Sequence, residues 1–124
     1  MVGHESDRHL RYKRKVADVL RSKGFTVFGD SDDEVVIHRD EHSPPYFIDV
    51  CGCSDTRIIA IEIDGYVGHA SRRRILRDKH RTDEIKRLIN NIEIYRFAFW
   101  QLKGMDNETI ALELGLTSKD RDNK

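Results

Sequence analysis

The most apolar run of the chain, residues 57–64 with the sequence RIIAIEID, ends in two carboxylates. Its isoleucines and alanine predict a central β-strand that is buried on both faces. Glu62 and Asp64 are two residues apart, so the alternation of a strand places both on one face, about 6.6 Å apart. Carboxylates in a partly dry place need a cation or a proton. This strand therefore predicts the centre of a sheet and marks one of its ends as a candidate site.

Periodic patterns on either side of this strand predict the remaining elements. The predicted order is a helix over residues 7–23, strands at 25–28, 34–38, 46–50 and 57–64, a helix from Ala70 or Ser71, a strand at 92–99, and a helix from Asp106 or Asn107 that Gly115 ends. The strands at 25–28 and 34–38 are separated by a polar turn cluster, which predicts a hairpin. A strand joined through a helix to the next strand predicts a parallel pair in an otherwise antiparallel sheet. The predicted fold class is therefore α+β, or mixed α/β, in the order α-β-β-β-β-α-β-α.

Composition limits the class of protein. The 124 residues suit one domain, predicted over residues 1–116, with a flexible tail at 117–124. A hydrophobic fraction of 38% beside 35% charged residues indicates a globular domain with a highly charged surface. No apolar run approaches the roughly 18 residues that span a bilayer, and the first residues lack the apolar stretch of a secretory signal. We therefore expect no membrane association and a cytoplasmic location.

The formal net charge is zero, but the charges are unevenly distributed. Residues 8–23 and 72–87 are strongly basic, whereas residues 30–64 are strongly acidic. Two basic segments around an acidic one suit a phosphate-binding surface around a cation site, and ordinary solvated helix faces are the alternative. The predicted DNA contacts are Arg72, Arg73, Arg74, Arg77, Lys13 and Arg14.

Asp49 lies near the end of the strand that precedes residues 57–64. If its carboxylate meets those of Glu62 and Asp64, a hard divalent cation such as Mg²⁺ would satisfy all three. Such a cation can polarise a phosphodiester and activate water. The alternative is that Glu62 and Asp64 face solvent at the strand end and pair with arginines of the basic helix. Cys51 and Cys53 are expected to be reduced thiols, because their spacing rarely permits a disulfide.

These residues resemble the PD-(D/E)XK nuclease superfamily, whose fold is restriction-endonuclease-like. Within it, they are most similar to the branch of the very-short-patch-repair endonucleases. The shared pattern covers residues 46–99 and consists of Asp49, the run Glu62-Ile63-Asp64-Gly65, His69, a helix with Asp78 and Arg81, and the strand Ile94-Tyr95-Arg96-Phe97. The opening helix, which closes with LRSKGF, is also similar to that of archaeal Holliday-junction resolvases.

The resemblance implies a metal centre in which Asp49, Glu62 and the carbonyl of Ile63 bind Mg²⁺ or Mn²⁺. It also implies a catalytic group made of Asp49, Glu62, Asp64 and His69. Asp64 stands where the superfamily usually has a lysine, so His69 is the candidate that activates water or assists the leaving group. An acidic residue of the first helix often completes such sites, and the candidates are Asp7, Glu5 and Asp18.

The implied function is a metal-dependent DNA endonuclease of repair, recombination or restriction. Its substrate would be double-stranded, mismatched or branched DNA, and a homodimer would allow both strands to be cut. The departure at Asp64 keeps a second interpretation open, a nucleic-acid-binding module on the same fold that does not cleave. An interaction domain unrelated to nucleic acid is the third.

Overall fold

The computed structural model describes residues 7–30, 35–65 and 72–116. The elements, in chain order, are α1 (Asp7–Ser22), β1 (Thr26–Phe28), β2 (Val35–Ile37), β3 (Tyr46–Ile48), β4 (Val50–Cys53), β5 (Ile58–Asp64), α2 (Arg72–Leu88), β6 (Ile92–Ala98), α3 (Phe99–Lys103) and α4 (Asn107–Glu113). The sheet order is β1-β4-β5-β6, and β2 and β3 form a separate two-stranded sheet. The predicted tail at 117–124 and the predicted helix start at Ala70 or Ser71 lie outside the described residues.

The predicted α+β class is confirmed, because helices flank a central sheet that mixes parallel and antiparallel pairs. The order of elements differs in two respects from the prediction. The third predicted strand is divided at Asp49 into β3 and β4, and the short helix α3 precedes the last helix.

The strand β5 lies in the middle of the sheet, as its apolar sequence predicts. It pairs antiparallel with β4 and parallel with β6, and α2 makes the crossover between the two parallel strands. Ile59, Ala60 and Ile61 are fully buried. Ile59 and Ile61 belong to a core cluster with α1 and α4, whereas Ala60 belongs to a second cluster with Ile85 of α2. Both faces of β5 are therefore covered.

The first helix is built as its periodicity predicts. Tyr12, Val16, Val19 and Leu20 are buried against the sheet. Gly24 has φ +91°, a left-handed conformation that glycine adopts without steric cost. The amide of Phe25 donates to the carbonyl of Leu20 at 3.0 Å, which closes the helix with a Schellman-type turn.

The predicted hairpin between the first two strands is wrong. β1 pairs with β4, and β2 pairs with β3, in both cases antiparallel. The chain bends at Asp49 between β3 and β4. β2 therefore pairs with the segment before the bend, and β1 pairs with the segment after it. The alternation of polar and apolar residues in a strand does not show which strand it pairs with. Here the pairing of β2 with β3 buries Ile37 and Ile48 together in the second core cluster.

The helix α2 is only lightly buried. Ile85 is fully buried, whereas Ile75 and Leu76 in its first half are 56% and 61% exposed. The arginine-rich half of α2 therefore stands clear of the core. In the described part of the chain, no helix combines the length and apolar character needed to cross a membrane.

Candidate functional site

A cavity of about 220 Å³ opens at the carboxyl end of β5. Its lining is strongly charged and consists of Asp49, Glu62, Ile63, Asp64, Arg74, Asp78, Arg81 and Arg96. The carboxylates of Asp49 and Glu62, which come from different parts of the chain, thus share one cavity. They are joined there by guanidinium groups from α2 and β6.

Asp49 reaches the cavity because the chain bends at this residue. It directly precedes Val50, the residue that pairs with Ile61 of β5. Its Oδ2 accepts a hydrogen bond from the backbone N–H of Ile63 at 2.8 Å. The carboxylate therefore lies beside β5, one residue before β4 begins at Val50. It is held by β5, the strand that also carries Glu62.

Glu62 is enclosed by two arginines. In the parallel register it is the partner of Arg96, whose Nε lies 3.1 Å from Oε2 of Glu62. On the other side, Nη2 of Arg81 lies 2.5 Å from Oε1. The side chain is 18% exposed, so both oxygens are satisfied by positive groups in a partly dry place.

Each of these arginines has a second anchor. Nη1 of Arg96 lies 2.8 Å from Oδ2 of Asp78. Nη2 of Arg81 also donates to the carbonyl of Phe47 at 2.7 Å. Asp78 and Arg81 are three residues apart on α2, a spacing that favours an ion pair on the helix surface. Instead, Asp78 pairs with Arg96, and Arg81 pairs with Glu62. Both turn toward the cavity.

Asp64 lies at the rim of the cavity. Its Oδ2 is 3.3 Å from Nη2 of Arg74, and the two side chains are 51% and 43% exposed. Glu62 and Asp64 are thus both paired with arginines of α2, as the alternative interpretation expects, but only Asp64 also faces solvent as that interpretation requires. Within residues 7–30, 35–65 and 72–116, no group of three or more His, Cys, Asp or Glu side chains is arranged to hold a metal ion.

Two of the three groups predicted to bind a cation, Asp49 and the carbonyl of Ile63, do lie close together. Asp49 Oδ1 and the carbonyl oxygen of Ile63 converge on a single atom, Nε2 of His9, at 3.5 and 3.1 Å. Glu62 opens into the same cavity. Carboxylate and carbonyl oxygens are the ligands that hard dications take. In this arrangement both oxygens of Glu62 are paired with guanidinium groups, so Glu62 would bind a cation only after one arginine moves away.

Five of the six predicted DNA contacts lie at the surface or at the rim of the cavity. Arg72, Arg73 and Arg77 are exposed on the first half of α2, and Arg14 is exposed on α1. Arg74 lies at the rim of the cavity.

The prediction for Lys13 is wrong, because its side chain is fully buried. Its position follows from helical spacing, since residues 13, 16, 17 and 20 lie on one face of α1 and that face is the core. His69, the predicted base, lies outside the described residues.

His9 is not among the residues that the sequence predicts for the site, although it contacts two of them. The predicted first-helix residue is acidic, whereas the imidazole of His9 on α1 lies within 3.5 Å of both Asp49 and Ile63, and the candidate Glu5 lies outside the described residues. The signal was available, because His9 precedes Tyr12 by three residues and so lies beside the buried face of α1. For Arg96, alignment of the parallel strands would have shown that it faces Glu62.

Cys51 and Cys53 are free thiols on β4. Burial, with a smaller contribution from Cys53, raises the pKa of the Cys51 thiol to about 12. Metal binding and nucleophilic attack both require the thiolate. Cys51 is therefore a core residue and takes no part in the site.

Fold and site together define a mixed α+β domain with a charged cavity at the carboxyl end of its central strand. Among solved structures, the chain is similar to "Crystal Structure of Protein of Unknown Function AF1548", with 15% identity and a TM-score of 0.49. The match covers 90% of this chain and 56% of that one, so the chain spans little more than half of its length. No protein-family model matches the chain, and no curated protein does.

Proposed function

We propose that the protein is a metal-dependent DNA endonuclease that hydrolyses phosphodiester bonds. One observation carries the proposal: Asp49, Glu62 and Ile63 line the same cavity as Arg74, Arg81 and Arg96. Oxygen ligands for a cation and guanidinium groups for phosphate oxygens are the two components that phosphodiester hydrolysis needs.

Asp49, Glu62 and the carbonyl of Ile63 would hold the cation, Mg²⁺ or Mn²⁺. The bound cation would supply Lewis-acid activation of the phosphate and of the attacking water. The hydrogen bond from the Ile63 amide to Asp49 Oδ2 leaves Oδ1 of that carboxylate directed toward His9 and the carbonyl. The same bond fixes the orientation of Asp49 before any cation binds, which reduces the cost of assembling the site.

Arg81 and Arg96 exchange partners in this proposal. When Glu62 binds the cation, one or both guanidinium groups turn from Glu62 to the phosphate oxygens of DNA. The carbonyl of Phe47 and the carboxylate of Asp78 keep the two arginines at the cavity during that exchange. Arginine suits this role because its planar guanidinium forms two parallel hydrogen bonds to a phosphate.

His69 is our candidate for the group that takes the proton of the attacking water, and Asp64 at the rim is the second candidate. Water adds to phosphorus, the bond from phosphorus to the leaving oxygen breaks, and that oxygen takes up a proton. The exposed Arg72, Arg73 and Arg77, with Arg14 on α1, would bind the flanking phosphates. The substrate would be double-stranded, mismatched or branched DNA in the cytoplasm, in repair, recombination or restriction, and the enzyme would act as a monomer or a homodimer.

The second candidate function is a nucleic-acid-binding module without cleavage. It is favoured by the pairing of both Glu62 oxygens with arginines and by the exposed Asp64 at the usual lysine position. In that case the arginines stay on the carboxylates, and DNA contacts only the outer face of α2.

The two functions are separated by one assay. The full chain is incubated with linear, mismatched and four-way-junction DNA in Mg²⁺, Mn²⁺ or chelator, beside the isosteric variants Asp49→Asn and Glu62→Gln. The proposal expects metal-dependent cleavage that falls by on the order of a hundredfold or more in both variants. The matched control is Asp30→Asn, which removes a carboxylate paired with Arg21 at 2.6 Å, away from the lining residues.

Each result of this assay decides between the candidates. Cleavage that disappears in both site variants and survives in Asp30→Asn supports the nuclease. Salt-sensitive binding to DNA without cleavage in either metal overturns the nuclease and supports the binding module. A chain that neither binds nor cleaves these substrates contradicts both.

A further inference from the structure

Tyr46 of β3 brings an aromatic ring against Arg81, one of the two arginines that enclose Glu62. The guanidinium carbon of Arg81 lies 5.3 Å from the centroid of the Tyr46 ring. Nη2 of the same guanidinium donates to the carbonyl of Phe47, the next residue of β3, at 2.7 Å. Two successive residues of β3 thus contact Arg81, one through an aromatic ring and one through a backbone oxygen.

Packing and hydrogen bonding fix the Tyr46 ring. Tyr46 pairs with Ile37 in the two-stranded sheet and packs against the second core cluster, to which Ile37 and Ile85 belong. Its hydroxyl donates to Oε1 of Glu84, a residue of α2 whose side chain is 20% exposed. The ring is therefore held at both ends, by the core and by α2, which is the kind of support that a precisely placed group needs.

A second guanidinium lies over the same ring. Cζ of Arg39 is 4.4 Å from the ring centroid, and two positive groups this close to one ring would repel each other if neither were neutralised. Nε and Nη2 of Arg39 donate to the two carboxylate oxygens of Glu84 at 3.2 and 3.0 Å. Hydrogen bonds from Tyr46 and Arg39 lower the pKa of Glu84, so this carboxylate is charged at neutral pH. Glu84 thus neutralises Arg39, and Arg81 shares the ring with little repulsion from it.

Arg81 needs such support at the step in which it leaves Glu62. In the ion pair, Oε1 of Glu62 holds the guanidinium, but a guanidinium that turns to a phosphate oxygen loses that partner. A cation–π contact suits both states, because the ring attracts the cation without occupying its N–H groups. We propose that Tyr46 is a positioning residue that keeps Arg81 at the cavity during this exchange, an inference that rests on the proposed nuclease function.

The test separates the Tyr46 ring from its hydroxyl. Tyr46→Leu removes the ring, whereas Tyr46→Phe keeps the ring and removes only the hydroxyl. The matched control is Tyr95→Leu. Tyr95 is also a partly buried tyrosine whose hydroxyl donates to a glutamate, but it packs against the first core cluster instead of the second. A loss of stability common to both leucine variants is thereby distinguished from an effect on Arg81.

Two readouts are taken on the full chain. Nuclear magnetic resonance follows the Nε–Hε proton of Arg81, identified as the resonance that is missing in Arg81→Gln, because an aromatic ring facing a guanidinium shifts this proton upfield. The second readout is kcat/KM for cleavage of linear, mismatched and four-way-junction DNA in Mg²⁺ or Mn²⁺. It is measured in a double-mutant cycle that combines Tyr46→Leu with Arg81→Gln, since a residue that acts through Arg81 has no effect once Arg81 is absent.

The expected result is an upfield Arg81 resonance in the wild type, Tyr46→Phe and Tyr95→Leu that is lost in Tyr46→Leu. The value of kcat/KM should fall about tenfold in Tyr46→Leu, stay within about twofold of the wild type in Tyr46→Phe, and fall little further when Tyr46→Leu is added to Arg81→Gln. An upfield resonance that persists in Tyr46→Leu, or a tenfold loss that remains in the Arg81→Gln background, overturns the role of Tyr46 and leaves the nuclease proposal standing. A wild type that cleaves no DNA in either metal contradicts both.

Discussion

At the scale of single residues, the position of Asp49 depends on a glycine in a different part of the chain. Gly29 follows β1 with φ +95° and lies against the backbone of the bend. A Cβ added at Gly29 would be 2.4 Å from the carbonyl oxygen of Asp49. Neither the conformation nor the space suits any other residue, so the bend at Asp49 and the glycine require each other.

We predict that Gly29→Ala destabilises the protein by about 2–4 kcal/mol, the sum of a left-handed alanine and an overpacked contact with backbone atoms. The matched control is Gly24→Ala, which has nearly the same φ of +91° but no atom within 4 Å of the added Cβ. It should cost about 1–2 kcal/mol. Urea unfolding measures both, and equal losses would show that Gly29 and Asp49 are not in close contact.

Residue-scale prediction from the sequence succeeded where local chemistry decides and failed where packing decides. Asp49 and Glu62 share a cavity, as expected from their positions at the ends of two neighbouring strands. Lys13 was assigned to DNA from its charge, although its helical spacing places it in the core. His9 was missed because it is an isolated histidine that becomes significant only when α1 is packed against β5.

At the scale of elements, Arg57 joins the central sheet to the last helix. Its Nε and Nη2 donate to the two carboxylate oxygens of Glu93 at 2.7 and 2.6 Å. The same Nη2 donates to the carbonyl of Leu114 at 2.8 Å, at the end of α4. Arg57 thus satisfies a carbonyl that the helix leaves without an internal partner.

We predict that Glu93→Gln weakens this joint in a pH-dependent way. Hydrogen bonding from Arg57, more than any other contact, lowers the pKa of Glu93 in the folded protein. A carboxylate with a lowered folded pKa contributes stability that is complete above its unfolded pKa, near 4.3, and is lost as pH falls through the folded value. The variant should therefore be less stable by about 1–2 kcal/mol at pH 7, and the difference should shrink steadily below about pH 4.

Thermal or urea unfolding between pH 7 and pH 3 measures this difference. Glu113→Gln, at an exposed position of α4, is the control and should leave stability nearly unchanged across the range. A deficit in Glu93→Gln that stays constant with pH would mean that shape and packing, not the charge of Glu93, hold the joint.

The elements also show where sequence patterns stop being informative. The buried strand β5, the helix α1 and the parallel pairing of β5 with β6 follow from periodicity and from the handed crossover through a helix. The hairpin was wrong because residues 25–38 contain two strand patterns but no information about their partners. The bend at Asp49, which divides β3 from β4, coincides with the change of partner from β2 to β1, and the sequence pattern of this segment does not show it.

At the scale of the whole molecule, zero net charge conceals a strong separation of charge. Three of the four acids that line the cavity, Glu62, Asp64 and Asp78, are each paired with an arginine. The exposed Arg72, Arg73 and Arg77 lie on the first half of α2, beside the cavity that Arg74 borders. A polyanion is therefore attracted to this part of the surface, although the molecule as a whole is neutral.

The salt dependence of DNA binding tests this picture. Each phosphate neutralised on duplex DNA contributes about 0.9 to the slope of log K against log salt concentration. The triple variant Arg72→Gln, Arg73→Gln and Arg77→Gln should lower the magnitude of that slope by about 2–3 and weaken binding to all sequences alike. Fluorescence anisotropy in chelator measures binding without cleavage.

The double variant Lys86→Gln and Arg87→Gln removes exposed charges from the last turn of the same helix and should change the slope far less. Equal changes in the two variants would mean that DNA responds only to the overall charge of α2, and the site would then lack the directed approach that an endonuclease needs.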